Sequence, residues 1–219
     1  MYKVYQKLIS KDDVSYIFNL FDERARSRWG RLAAVNSKSH ISDDYKSRRA
    51  TAQAVKPEFI SQEFRDKIMR AVQDVDPSRR FFFLEPWSIN KYDDSERGHF
   101  YWHKDRLDGF QYHGSHIGKL TAEEIFIRNM RPSREMSVSV ALNDRSSYNG
   151  GQFTIDVGDG KQTPVDLDTG DVVVFDSDTH HGVDDVTKGT RYSLVVWLVE
   201  EEKYLLWKQL CLEQGTEIT

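Results

Sequence analysis

Residues 170–198 read GDVVVFDSDTHHGVDDVTKGTRYSLVVWL. The run Asp171–Phe175 is apolar, β-branched and too short for a helix, so it reads as a buried strand. A polar turn and the pair His180-His181 follow, and a second apolar run, Arg191–Val199, reads as the next strand. Working outward, Phe81–Tyr92, Phe100–Trp102, Met136–Leu142 and Gln152–Val157 have the same texture. Turn signals separate the runs: Asn149-Gly150-Gly151, Gly158-Asp159-Gly160 and Thr169-Gly170. Short strands with tight turns between them predict an antiparallel sandwich or barrel. Asn149-Gly150-Gly151 is expected to be a tight hairpin joining two of its strands.

Helices are expected at the flanks. Asp12–Glu23 begins acidic and carries Val14, Ile17, Phe18, Leu20 and Phe21 on one face. Pro57–Asp76 has Pro at its first turn and Phe59, Ile60, Phe64, Ile68, Val72 and Val75 at helical spacing. Glu201–Leu212 closes the chain with a Leu/Trp stripe that is expected to pack on the sheet. Residues 24–56 are polar and weakly periodic, and read as a segment that is either mobile or wrapped over the core. The expected organisation is a helical, basic segment over 1–76, a β domain over 77–200, and a helix and tail over 201–219.

Composition narrows the chemistry. The chain has 219 residues, a net charge of −4 and one cysteine, Cys211. That excludes an internal disulfide and a Cys-based zinc cluster, leaving His and carboxylates for any transition metal. No run of about 18 apolar residues is present, so no membrane span is expected. The start MYKVYQKLISKDDV lacks the apolar stretch of a signal peptide, so a cytoplasmic location is expected. Residues 1–56 hold 12 Lys/Arg against 6 Asp/Glu, so the remainder is markedly acidic. This balance argues against a dedicated nucleic-acid binder. The stretch Asp156–Asp185 is acidic with Lys161 as its one base, a rim suited to neutral or basic peptides.

His103-Lys104-Asp105 is an H-x-D triplet in a β context. Residues i and i+2 of a strand share a face, so the imidazole and the carboxylate can meet one metal. By itself the triplet occurs readily by chance. Joined by a histidine of the 180–181 pair on a neighbouring strand, it makes a 2-His-1-carboxylate facial triad that leaves metal positions open, a geometry suited to non-haem Fe(II). Arg191 sits inside an apolar strand, where a guanidinium is costly unless it meets an anion. A co-substrate carboxylate could supply it through a bidentate pair, and so could a nearby Asp.

Three blocks carry a resemblance: KYDDSERGHFYWHKD (91–105), MSVSVALNDRSSYNGGQFTID (136–156) and FDSDTHHGVDDVTKGTRYSLVVW (175–197). Across roughly residues 80–200 the sequence resembles the iron- and 2-oxoglutarate-dependent dioxygenases, and within them the prolyl 4-hydroxylase-like group. The family pattern places Val two, Gly eight and Arg ten residues after the distal histidine. Val183, Gly189 and Arg191 fit that count from His181, and nothing fits it from His180. The resemblance implies a mainly β fold with flanking helices and a double-stranded β-helix (jelly-roll or cupin-like) core. It implies Fe(II) on His103, Asp105 and His181, with the distal carboxylate of 2-oxoglutarate on Arg191.

Tyr92 matches an aromatic position of the co-substrate pocket, with plain core as its competing reading. Trp197 matches a tryptophan beside the iron. Where some prolyl hydroxylases hold that carboxylate with a tyrosine, Ala141 stands here, and Ser137 or Ser139 is the expected substitute. His180 is expected at the rim, with His113 and His116 in a loop; His99, four before His103, is weighed and set aside. The implied reaction consumes O₂ and 2-oxoglutarate, releases succinate and CO₂, and hydroxylates an aliphatic C–H, with ascorbate as reductant. The implied substrate is a prolyl residue of a peptide or protein; the alternative is a free amino acid or small metabolite. A nucleic-acid demethylase of this superfamily would carry a second Arg six residues after Arg191, where Trp197 stands. Two other classes compete: a non-catalytic metal-binding β-barrel that binds a partner, and a metallohydrolase. The first gives no reason for Arg191 to stand ten residues beyond a ligand histidine, and the second lacks a general base beside the metal.

Overall fold

The computed structural model describes residues 1–26, 48–106 and 130–215. Along the chain these form β1 (Tyr2–Tyr5), α1 (Lys11–Arg26), β2 (Arg48–Arg49), β3 (Thr51–Val55), α2 (Gln62–Val75), β4 (Phe81–Phe82) and β5 (Trp87–Asp93). Then come β6 (His99–His103), β7 (Met136–Ala141), β8 (Tyr148–Gly150), β9 (Phe153–Asp156), β10 (Gln162–Val165), β11 (Val172–Asp176), β12 (His181–Val183), β13 (Val186–Glu200) and α3 (Glu201–Glu213).

The strands make two sheets. An eight-stranded sheet runs β1-β11-β7-β13-β5-β3, with β4 and β8 also on β13, and a five-stranded sheet runs β10-β9-β12-β6-β2. Every pairing is antiparallel. The architecture is the expected one, mainly β with a double-stranded β-helix core and helices outside. Among the described residues no helix is long and apolar enough to cross a membrane.

Side-chain alternation sorts the large sheet into two faces. Val172 and Val174 of β11, Val138 and Val140 of β7, and Leu194, Val196 and Leu198 of β13 join the cluster under the helices. Phe64, Ile68, Ala71, Val72 and Val75 of α2 cover that face. Each such Val, Ile or Phe contributes about 1.5–3 kcal/mol by leaving water. The intervening residues, Val173, Phe175, Ala141 and Tyr92, pack with Phe153, Ile155 and Val183 of the small sheet. The inner face is more polar than the outer one. Ser88, Asn90, Ser139, Arg191 and Ser193 lie there, all buried.

Several expectations need correction. The 24–56 segment is not merely wrapped over the core where it is described. β3 extends the large sheet by pairing β5 from Thr51↔Lys91 to Val55↔Trp87, and β2 pairs β6 at Arg48↔Phe100. β1, also from the basic segment, pairs β11. The helix expected from Pro57 starts later, because Pro57–Phe59 makes a separate 3-10 turn and Ile60 is extended. Ser61 then caps α2, its side chain accepting from the Phe64 N–H. β13 starts at Val186, five residues earlier than expected, with an irregularity at Val186/Lys188.

Asn149-Gly150-Gly151 is not a hairpin. β8 pairs β13 in the large sheet, whereas β9 pairs β10 and β12 in the small one, so these residues carry the chain between sheets. Gly150 has φ 71°, and a Cβ there would lie 2.1 Å from the Asp185 carbonyl oxygen. Gly158-Asp159-Gly160 does close a hairpin, β9–β10, with Asp156 Oδ1 accepting from the Gly158 and Gly160 N–H groups. In α3, Trp207 and Cys211 are buried, but Leu205, Leu206 and Leu212 face solvent rather than the sheet.

Candidate active site

His103 ends β6 and His181 starts β12, neighbouring strands on which the two residues are direct partners. Asp105 lies two residues beyond His103. Its Oδ1 is 3.7 Å from His103 Nε2 and its Oδ2 is 3.4 Å from His181 Nε2. One ligand atom from each of the three can be chosen so that all lie within 4.8 Å of one another. Backbone carbonyls orient both rings: Nδ1 lies 2.7 Å from the Tyr101 oxygen in His103, and 3.0 Å from the Thr179 oxygen in His181. With Nδ1 so engaged, each Nε2 faces the carboxylate. This is the arrangement by which second partners commonly orient metal-binding histidines.

Asp105 is buried and held from several sides. Ser137 Oγ donates to its Oδ2 at 2.8 Å and bonds Ser177 Oγ at 2.8 Å. The Ser177 carbonyl accepts from the N–H groups of Asp105 and Arg106, pinning the segment after β6 to the end of β11. Burial alone would raise the Asp105 carboxyl. The adjacent imidazoles of His103 and His181, and then the charge of Arg134, override it and hold the group well below the usual carboxylate range. Arg134 is itself built in: Glu85 takes its Nε and Nη2 at 2.9 and 2.5 Å, and its guanidinium lies 3.8 Å from the Trp197 ring centroid. Its Nη1 is 3.9 Å from Asp105 Oδ1.

Beside the cluster lies a partly open cavity whose empty space, counted together with the solvent at its mouth, is about 410 Å³. Its wall includes the three residues above and, from the inner face of the large sheet, Asn90, Tyr92, Ser139, Arg191, Ser193, Val195 and Trp197. Arg191 is 3 % exposed, with its guanidinium 5.2 Å from the Tyr92 ring centroid. Among the described residues it meets no carboxylate, so the structural ion pair with a nearby Asp does not form. The chain comes close to it at Gly151, where a Cβ would lie 3.2 Å from Arg191 Cδ.

Three buried atoms here lack any hydrogen-bond partner among the described residues: His103 Nε2, Arg191 Nη1 and Trp197 Nε1. Such atoms are rare and ask for an explanation. Two imidazole nitrogens and a carboxylate oxygen suit a divalent first-row ion, and a buried guanidinium suits an anion.

The other expected residues fall as follows. Tyr92, Ser139 and Trp197 line the cavity. Ser137 does not; its hydroxyl is turned to Asp105, so it is not free for a co-substrate carboxylate. His180 points away from the cluster and stacks on Trp102 at 5.8 Å. His99 is buried against Arg97 and Asp185, outside the cluster. His113 and His116 lie outside the described residues. Sequence reasoning missed Ser193, though it stands two residues after Arg191 and so shares its face. It also missed Arg48, Asn90, Glu85 and Arg134, whose partners lie far away in the chain.

The sequence profile of the 2OG-Fe(II) oxygenase superfamily matches residues 87–199, just over half of the chain, including His103, Asp105, His181 and Arg191. The chain belongs to that superfamily. Members of that superfamily are oxygenases that work with Fe(II), 2-oxoglutarate and O₂.

Among curated relatives, the chain is 28% identical over 93 residues to a PKHD-type hydroxylase of Hyphomonas neptunium, covering 42% of this chain and 40% of that one. To a PKHD-type hydroxylase of Maricaulis maris it is 38% identical over 64 residues, 29% of either chain. The matches thus span well under half of these relatives. Among solved structures, a Pseudomonas putida prolyl-4-hydroxylase shares the fold at TM-score 0.61 and 18% identity, covering 90% of this chain and 92% of that one. A Trichoplax adhaerens prolyl hydroxylase in complex with a hypoxia inducible factor peptide fragment does so at TM-score 0.61 and 14% identity, over 94% and 86%.

Proposed function

We propose that His103, Asp105 and His181 hold Fe(II), that Arg191 holds the distal carboxylate of 2-oxoglutarate, and that the enzyme hydroxylates a prolyl residue of a peptide or protein. The observation that carries this is the pairing of a three-ligand cluster with a buried, partnerless guanidinium in one cavity. When bound, the ferrous ion supplies the O₂-dependent decarboxylation of 2-oxoglutarate to succinate and CO₂, coupled to hydroxylation of an aliphatic C–H.

The chain's own residues do the rest. The Tyr101 and Thr179 carbonyls fix the ring orientation of the two histidines, and Ser137 holds the carboxylate between them. Arg191 neutralises and orients the co-substrate, with Tyr92 beneath it and Ser139 and Ser193 as nearby hydroxyls. Phe153, Phe175, Val183 and Val195 keep the cavity apolar and dry. Ascorbate serves as accessory reductant, and a reducing cytoplasm suits a ferrous site. Likeness to prolyl hydroxylases, one of them bound to a peptide, supports the prolyl assignment.

The test is anaerobic addition of Fe(II) and 2-oxoglutarate, which should give a weak visible charge-transfer band. His181→Ala should lose the band and succinate production, and His180→Ala should keep both. The reverse result would overturn the ligand assignment. A peptide screen for the mass gain of one oxygen atom tests the substrate.

A further inference from the structure

We propose that Arg48 reads a carboxylate on the substrate itself; this rests on the metal and co-substrate assignment above. Arg48 reaches the cavity from β2, a two-residue strand at the edge of the small sheet. It is held rather than loose. Its Nη2 donates to Asn90 Oδ1 at 2.8 Å, and its guanidinium lies 4.7 Å from the Phe100 ring centroid. Phe100 in turn stacks on His103 at 3.5 Å, which couples this charge closely to the metal cluster. Ser88 also donates to Asn90 Oδ1, so the position of that amide is fixed.

Charge balance then singles Arg48 out. Glu85 neutralises Arg134 with a bidentate pair. A divalent ion with the Asp105 carboxylate leaves one positive charge, and Arg191 adds a second. The two negative charges of 2-oxoglutarate cancel these. Arg48 remains, and among the described residues it meets no carboxylate. An uncompensated cation in a partly dry cavity favours a substrate that brings one negative charge. Two sources have that chemistry: the free carboxylate of the hydroxylated residue, and an acidic side chain next to it in a peptide.

The experiment uses the full chain loaded anaerobically with Fe(II) and 2-oxoglutarate, reading perturbation of the visible band. The probes are N-acetyl-L-proline against its amide, and acetyl-Pro-Glu-amide against acetyl-Pro-Gln-amide. At least one charged probe should bind about tenfold more tightly than its neutral counterpart. The pair that discriminates identifies the source. Arg48→Gln should erase the preference and leave 2-oxoglutarate affinity within about twofold, and Arg48→Lys should keep part of it. The proposal is overturned if neither pair is distinguished by the wild type, if no probe binds, or if Arg48→Gln weakens 2-oxoglutarate instead. Absence of any band in the wild type overturns the ligand assignment, and this inference with it.

Discussion

Replacing Arg191 by Met should move ligand affinity and stability in opposite directions. In the ligand-free protein the guanidinium is 3 % exposed, leaves Nη1 without a partner and meets no carboxylate among the described residues. Burying such a group is unfavourable until an anion arrives. Removing it should therefore stabilise the metal-free protein by about 1–2 kcal/mol, or a few degrees in melting temperature for a chain of this size. A bidentate charge-assisted pair with the co-substrate contributes about 3 kcal/mol, so 2-oxoglutarate should bind on the order of 10²-fold more weakly. Calorimetric titration of 2-oxoglutarate into Mn(II)-loaded protein measures the first effect, and thermal unfolding of the metal-free protein the second. A melting temperature that falls, or an affinity within threefold of wild type, would refute the reasoning.

Ser137→Ala removes a hydrogen bond onto the buried Asp105 carboxylate and should weaken Mn(II) or Fe(II) binding by about 10- to 100-fold, read by metal titration. The melting temperature of the metal-free protein should change little by comparison. Gly150→Ala places a Cβ against the Asp185 carbonyl in a left-handed conformation, and should cost about 2 kcal/mol or more in denaturant unfolding. Asp13 clasps Lys67 of α2 at 2.8 Å. Burial would raise its carboxyl, but the Lys67 and Ser10 hydrogen bonds outweigh this and leave it below its ordinary value. Its stabilising contribution is present at neutral pH and is lost as pH falls through the lowered folded value. Asp13→Asn should accordingly lose stability at pH 7 and approach wild type in strong acid, as urea midpoints across pH would show.

How much was legible in the linear chain follows from how far apart the interacting residues lie. β7, β9, β11, most of β13 and the H-x-D triplet are short-range patterns, because alternation of side chains on a strand needs only near neighbours, whereas β8, β10 and β12 went unread. The choice of His181 over His180 came from the family resemblance, whose pattern Val183, Gly189 and Arg191 match only when counted from His181. The strands β1, β2 and β3 were not legible, because a two- to five-residue strand in a polar segment is created by the sheet edge it joins. The Asn149-Gly150-Gly151 turn misled for a similar reason. Its glycines announce a left-handed backbone, but not whether the following strand returns to the same sheet or crosses to the other.

The sequence by itself determined the β architecture, the metal-capable residue types and the placing of a cation, Arg191, inside an apolar strand. Only the tertiary structure decided that Ser137 bonds Asp105, and that Arg48, from a polar, weakly periodic segment, lines the same cavity. The physical reason is that hydrogen bonds and charge pairing act through space. Ser137 is 32 residues from Asp105, and Arg48 is 42 from Asn90. No local pattern encodes those distances; the packing of two sheets does.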